Sequence, residues 1–457
     1  MKKIEGRAAV CFILAMCLVL GLIVFTCRYF IYGGSWVSFA ANRHLYNTSG
    51  QLAVGRILDR DGDILTWVDD DGTRRYYADA TVRKATLHIV GDAEGKIGTG
   101  ALTAFADQLS SYNPLTGVYT PLGTGKDLYL TIDAHLNYVA YQALGGKSGA
   151  VGIYNYKTGE VLCMVSAPSY DPLSPPTITE GDSTWDGVYL NHFLSGVFVP
   201  GSVFKLVTLS AAIEQLPDLF SRTFTCTGKT IVGGETVTCP KAHGTMDIGG
   251  ALANSCNCTF ATLSAEIGGS VLKQYAEKAG MTSSYSVSGL KTTAGRLNLT
   301  GVSDGSVGWA GVGQQDDMVN PCALMVYMGA IANGGTAAVP SIILKTENAL
   351  GLSFSGLSQK TTGTLISAET ASLLSDLMAR NVTETYGASR FPNMEVCAKS
   401  GTAEVGGSQS PHAWFAGFLR DESTPYAFVV LVENGGSGSD AAGTVAAKVL
   451  DALVNGY

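Results

Sequence analysis

The chain has 457 residues, of which 46% are hydrophobic and only 15% charged, against roughly 25% charged in an ordinary soluble protein, so a disordered chain is excluded. Its 56 Gly and 14 Pro follow no fixed period and form no Pro-rich tract, which excludes collagen-like and low-complexity readings. A formal charge of −8 and a pI near 5.3 argue against a nucleic-acid partner, because phosphate binding needs clustered Lys and Arg.

The apolar excess begins at the N-terminus. Ala8 to Cys27 carries no charge and has the length of a membrane-spanning helix. Lys2, Lys3 and Arg7 precede it and orient the N-terminus toward the cytoplasm by the positive-inside tendency. A cleaved signal peptide fits less well, since no small-residue cleavage site follows and Arg28, Tyr29, Tyr32 and Trp36 read as an interfacial anchor. The expected organisation is a cytoplasmic tail (1–7), one transmembrane helix (8–30) and an external remainder.

Residues 31–126 are polar and punctuated by Gly, with short strand-like runs at Arg56 to Asp59 and Ile64 to Trp67 and turns at Asp61-Gly62 and Asp71-Gly72. They predict a small β-rich pedestal. From residue 127 the pattern becomes α plus β: a strand from Leu128 to Ile132, a helix from Ala134 to Leu144, and a hairpin from Ala150 to Tyr154 and Val161 to Ser166. Helical spacing follows at Val203 to Gln215, Gly249 to Ile267, Pro321 to Ala332 and Ala368 to Ala379. An apolar hairpin (Ala413 to Leu419, Tyr426 to Glu433) and a helix from Thr444 to Val454 end the chain.

Seven of the ten cysteines lie beyond the apolar run, so at least one stays unpaired or pairs between chains. Cys226 and Cys239 flank a hairpin-like segment whose ends a disulfide could join. A zinc site using these two with His243 and Cys256 is the weaker alternative, because the spacing matches no common zinc module and external thiols favour disulfides. No metal and no cofactor is expected.

Three short patterns carry chemistry. In Ser-x-x-Lys, residues three apart on a helix share a face, so a desolvated Lys amine can act as base for the Ser hydroxyl. Three such pairs occur: Ser202 with Lys205, Ser270 with Lys273, and Ser288 with Lys291. Ser-x-Asn occurs at Ser111 and Ser255, and Lys-[Ser/Thr]-Gly at Lys147, Lys157 and Lys399. Requiring the order Ser-x-x-Lys, Ser-x-Asn, Lys-[Ser/Thr]-Gly leaves Ser202, Ser255 and Lys399. Pro200-Gly201 before Ser202 lets a helix begin there and aims its N-terminal N–H groups at a developing oxyanion.

At these residues the sequence resembles the penicillin-binding proteins, specifically the membrane-anchored class B transpeptidases. Gly55 to Gly62, Leu130 to Asp133, Ala167 to Pro172, Asn191 with Pro200-Gly201-Ser202, Ala332 to Gly335 and His412 to Phe415 are similar to stretches of that family. The resemblance implies an α+β fold: a penicillin-binding/β-lactamase-like transpeptidase domain over 127–457, with an antiparallel sheet flanked by helices, behind a pedestal over 31–126.

The resemblance also implies a peptidoglycan D,D-transpeptidase that cross-links stem peptides ending in D-Ala-D-Ala and is acylated by β-lactams. Ser202 would be the nucleophile and Lys205 its base, with Ser255 relaying protons and Asn257 orienting Lys205 and the substrate. Lys399 would add positive potential. Ser400, Gly401, Thr402 and Trp414 would bind substrate, and the backbone N–H groups of Ser202 and Thr402 would form the oxyanion hole. A membrane glycan polymerase is the expected partner. A D,D-carboxypeptidase, or a β-lactam-binding scaffold of the cell-wall machinery, is the alternative. Ser400 stands where Thr is commoner, Ala398 where Gly is frequent, and His192 where Arg often follows Asn191. Cys256 reads as structural, its side chain pointing away from Ser255 and Asn257.

Overall fold

The computed structural model describes residues 2–37, 55–69, 73–110, 112–113, 118–119, 125–179, 181–299, 301–348, 350–357 and 360–456. The side chains of Tyr32 and Trp36, the Asp71-Gly72 turn and Ser111 lie outside the described residues.

An N-terminal helix runs over Lys2–Val37. Within it Ile4–Ile31 has a mean hydropathy of 3.0 and is long and apolar enough to cross a membrane. Its side chains are exposed on every side, unlike those of a helix that packs in a core.

A five-stranded antiparallel sheet forms the centre of the rest, in the order Val396–Ala403, His412–Leu419, Tyr426–Val432, Gly149–Asn155, Val161–Ala167. Its strands read as nearly unbroken apolar runs because helices cover both faces. Ala134–Leu144 and Gly443–Asn455 pack together on one face, over Val151, Ile153, Phe415, Phe428 and Val430. Pro321–Ala332 lies on the other, against Tyr154, Ala416 and Leu431, and all its residues but Ala332 are buried. Each large apolar side chain buried in this way contributes about 1.5–3 kcal/mol. Asn320 caps that helix by accepting from Ala323 N–H, and Pro321 occupies its first turn.

A second sheet has six strands, in the order Ser353–Ser355, Ile343–Glu347, Asp127–Leu130, Ile57–Leu58, Ile64–Val68, Arg74–Tyr76. Ile57–Leu58 pairs in parallel with Asp127–Leu130, so the sheet crosses the boundary expected at residue 126. Among the described residues of 31–126 the chain is also less β-rich than its composition predicts. Ala80–Val90 is a helix, capped by Asp79 and burying Val82, Ala85, Thr86 and Ile89 on one stripe.

Two further expectations are corrected. The single helix predicted from Gly249 to Ile267 is two, Ile248–Ala253 and Asn257–Ile267, because Ser255 sits at φ +49° and breaks the helical path. The Cys226–Cys239 bridge is not formed, and all ten cysteines are free thiols.

Candidate active site

The break between those two helices, the turn before Lys205 and the edge strand of the central sheet meet at one cleft of about 940 Å³. Ser202, Ser255, Asn257, Thr238, Trp309 and Thr402 are among the residues that line it.

Gly201–Phe204 is a 3-10 turn running into the helix Lys205–Gln215. In 3-10 geometry side chains at i and i+3 eclipse each other, and Lys205 Nζ lies 2.9 Å from Ser202 Oγ. Gly201 has φ +56°, and a Cβ there would stand 2.5 Å from Thr402 O. A Cβ on Gly401 would stand 2.9 Å from Pro200 O. These two glycines let the backbone of the turn press against the edge strand Val396–Ala403. Gly313, at φ +81°, closes the turn from behind, its carbonyl accepting from Gly201 N–H at 2.8 Å.

Lys205 is fully buried, and its amine touches four oxygens. Besides Ser202 Oγ these are Ser255 O at 2.7 Å, Ser255 Oγ at 3.1 Å and Asn257 Oδ1 at 2.7 Å. The Asn257 amide is oriented by its own Nδ2, which donates to Thr238 O at 2.8 Å. Two of the four contacts are therefore pure acceptors, Ser255 O and Asn257 Oδ1. They take the two hydrogens of a neutral amine and leave its lone pair for the Ser202 hydroxyl proton. Burial pushes the Lys205 ammonium down to about 7.

Lys399 is also fully buried. Its amine donates to Ser255 Oγ at 3.1 Å and Ser400 O at 2.9 Å. Desolvation first, and the charge of Lys205 second, hold it well below the usual lysine range. Ser255 Oγ is thus the common neighbour of both amines, able to pass a proton between them.

Thr402 is exposed to the cleft, and its Oγ1 accepts from Gly438 N–H at 3.2 Å. Ser400 is half-buried; its N–H donates to Tyr386 Oη at 2.8 Å, and its Oγ accepts from Tyr386 at 3.0 Å. Gly401 faces Trp414 across the ladder. Trp414 corrects the substrate-contact expectation: it is fully buried, and its indole N–H donates to Val199 O at 2.9 Å. The indole thus braces the segment that leads into Ser202.

The rival Ser-x-x-Lys pairs are not part of this assembly. Lys273 lies 3.9 Å from Glu277 on a surface helix, and Ser288 Oγ bonds to Ser341 Oγ at 2.9 Å. Sequence reasoning missed Tyr386 and the Trp309 to Gln315 stretch, of which Trp309, Val312, Gln314 and Gln315 line the cleft. The close spacing of Gly308, Gly311 and Gly313 was the signal for the latter, because Gly311 and Gly313 admit no Cβ against Ser264 and Gly201.

A family model described as the penicillin binding protein transpeptidase domain matches residues 149–455. The chain is 28% identical over 348 residues to the peptidoglycan D,D-transpeptidase PbpA of Mycolicibacterium smegmatis, covering 70% of each. Among solved structures it is similar to a penicillin-binding protein A ceftriaxone acyl-enzyme complex from M. tuberculosis, with a TM-score of 0.77 and 22% identity over 88% of this chain and 98% of that one. A D,D-transpeptidase domain from Eggerthella lenta gives a TM-score of 0.75 at 24% identity, over 88% and 98% of the two chains.

Proposed function

Because the chain belongs to the penicillin binding protein transpeptidase family, by a match that spans most of its length, we propose that the Ser202 cleft performs serine acyl transfer on peptidoglycan stem peptides. The activity is that of a D,D-transpeptidase, and β-lactams acylate the enzyme. The observation that carries the reading is the Lys205 amine, 2.9 Å from Ser202 Oγ, held by two acceptors and buried so that its neutral form is favoured.

Ser202 Oγ attacks the carbonyl carbon of the penultimate D-alanine as its proton passes to Lys205. The tetrahedral intermediate collapses, the C–N bond to the terminal D-alanine breaks, and that amine takes the proton by way of Ser255. Lys399 supplies positive potential at Ser255 Oγ, and Lys205 gives Ser255 the proton that replaces the one passed to the amine. Asn257 holds Lys205. The oxyanion is met by the Ser202 and Thr402 N–H groups, a contribution of about 2.7–4 kcal/mol for one such donor. The edge strand offers its free side to an extended peptide, with Thr402 toward the substrate carboxylate and Ser400 behind it. An amine of a neighbouring stem then attacks the ester, forming the cross-link and freeing Ser202.

The anchor is Ile4–Ile31, with the catalytic part outside the cell membrane, as Lys2, Lys3 and Arg7 before the apolar run support. A glycan polymerase in the same membrane supplies the strands to be joined. Incubation with cross-linkable peptidoglycan is expected to yield dimeric muropeptides. Trimmed monomers alone would make the protein a D,D-carboxypeptidase.

The Gly201 contact gives a sharper check. Gly201→Ala adds about 1–3 kcal/mol of backbone strain at φ +56° and drives a Cβ into Thr402 O. Acylation by a fluorescent penicillin is expected to slow by about 100-fold, with the far-UV circular dichroism unchanged.

A further inference from the structure

Along one wall of the cleft, which Cys239 and His243 help to line, four metal-ligating groups converge. The ligand atoms of Cys226, Cys239, His243 and Cys256 all lie within 4.8 Å of one another. They come from three separate pieces of chain: the end of the strand Phe224–Cys226, the loop after the strand Glu235–Thr238, and the residue that opens the helix Asn257–Ile267. We propose that these four residues form a closed tetrahedral site for zinc, which fixes the Ser255-Cys256-Asn257 segment against the cleft.

The distances suit a metal better than a disulfide. Metal–sulfur bonds of about 2.3 Å at tetrahedral angles put neighbouring sulfurs about 3.8 Å apart, and Cys239 Sγ lies 3.8 Å from Cys256 Sγ. A disulfide needs about 2.05 Å. One bridge would also join only two of the four groups and leave the others packed against it. The imidazole supplies a second, independent observation: His243 Nδ1 is buried and has no hydrogen-bond partner among the described residues. An orphaned ring nitrogen on a residue grouped with three thiols has the character of an unfilled ligand position.

Two donors of the chain face the sulfurs. Cys258 N–H donates to Cys239 Sγ at 3.4 Å, and the Thr259 hydroxyl donates to Cys256 Sγ at 3.3 Å. Such donors hold ligand sulfurs in place and spread their negative charge. Cys258 Sγ lies 3.5 Å from Cys239 Sγ and 3.9 Å from Val237 O, as a neighbour of the set of four and not a member of it. Three thiolates with one imidazole, and no position left for water, describe a structural zinc site rather than a catalytic one. The spacing in the chain, twelve, three and twelve residues between successive ligands, is too irregular to be read as a motif. Only the hairpin lobe brings the groups together.

The site grips the second catalytic pattern from both sides. Cys256 is the residue between Ser255 and Asn257, and Cys239 follows Thr238, whose carbonyl orients the Asn257 amide. Ser255 is held at φ +49°, a conformation that a non-glycine residue keeps only when its surroundings impose it. A bound zinc supplies that constraint at the adjoining residue, so Cys226, Cys239, His243 and Cys256 act as positioning residues for Ser255 and Asn257.

The effect on acylation rests on the reading of Ser202 given above, but metal binding does not, and the two are measured separately. The full chain, purified in detergent without chelator, is expected to carry about one zinc by elemental analysis. Replacing that zinc with cobalt is expected to give the sulfur-to-metal charge-transfer and tetrahedral d–d absorption of a thiolate site. The double variant Cys239→Ser, His243→Ala should lose the metal, and Cys258→Ser should keep it. Stripping zinc from the wild-type chain should slow labelling by a fluorescent penicillin at least about ten-fold, with recovery on adding zinc back.

Absence of zinc from protein prepared in zinc-containing buffer would overturn the proposal. So would an octahedral cobalt spectrum, or a disulfide among these cysteines in a non-reducing peptide map. Unchanged labelling after removal of the metal would overturn the positioning role. A chain that binds zinc but never reacts with penicillin would instead overturn the acyl-transfer reading and leave the metal site standing. If the double variant does not fold, the wild-type metal content and cobalt spectrum still decide the case.

Discussion

Ser202→Ala is expected to abolish covalent labelling by a fluorescent penicillin and to stop cross-linking. The nucleophile is absent, and none of the oxygens around Lys205 can replace it: Ser255 Oγ sits between two amines, and the other two are a carbonyl and an amide. Loss of a catalytic serine that works with its base as one unit typically costs on the order of 10⁶-fold in turnover. The fold should not change. Ser202 is half-buried, Lys205 keeps three of its four oxygen contacts, and one lost hydrogen bond costs about 0.5–1.5 kcal/mol. Persistent labelling of this variant, detected on a denaturing gel, would place the nucleophile elsewhere.

Acylation by the wild-type enzyme should rise with pH to a plateau above about 7. Burial lowers Lys205 from 10.5 to about 7, and only the neutral amine can accept the Ser202 proton. Below that value each pH unit cuts the neutral fraction about ten-fold, so labelling at pH 5 should be about 100-fold slower than at the plateau. A charged Lys399 works against protonation of Lys205, because two ammonium groups on one Ser255 Oγ repel each other. Stability follows with a definite sign. Between the folded value near 7 and the unfolded value of 10.5 the unfolded chain binds the extra proton, so the contribution of Lys205 to unfolding free energy rises with pH across that window. A labelling rate that stays flat from pH 5 to pH 8 would remove Lys205 as the base. Lys205→Ala should label negligibly at any pH in that range.

The catalytic residues were legible because the chemistry demands a fixed order of short patterns, and that order discards Ser270, Ser288, Lys147 and Lys157. Helices with strong local signals were legible too: Ala134–Leu144 and Pro321–Ala332 begin at side-chain caps that announce themselves. What stayed hidden depends on contacts between distant parts of the chain. The kink at Ser255 is imposed by tertiary bonds at a residue whose type favours no such angle. Trp414 looked available until the register opposite Gly401 and the bond to Val199 O turned it inward. Tyr386 reaches Ser400 from the end of another helix, and the four groups around Cys256 meet only once the hairpin lobe has folded. The helix Ala80–Val90 had a cap and an apolar stripe, but it lay in a segment whose Gly and polar content read as strands.

The six-stranded sheet that crosses residue 126 has a practical consequence for anyone cutting the chain. A fragment started at Asp127 would strip Ile57–Leu58 from the parallel side of Asp127–Leu130, uncovering a row of backbone amides and carbonyls. It would also break the Arg56–Asp127 ion pair and the bond from Ala134 N–H to Asp59 that steadies the start of Ala134–Leu144. That helix covers the same sheet whose opposite edge carries Lys399. A soluble version for antibiotic screening therefore has to begin ahead of Gly55, with the short parallel strand left in place.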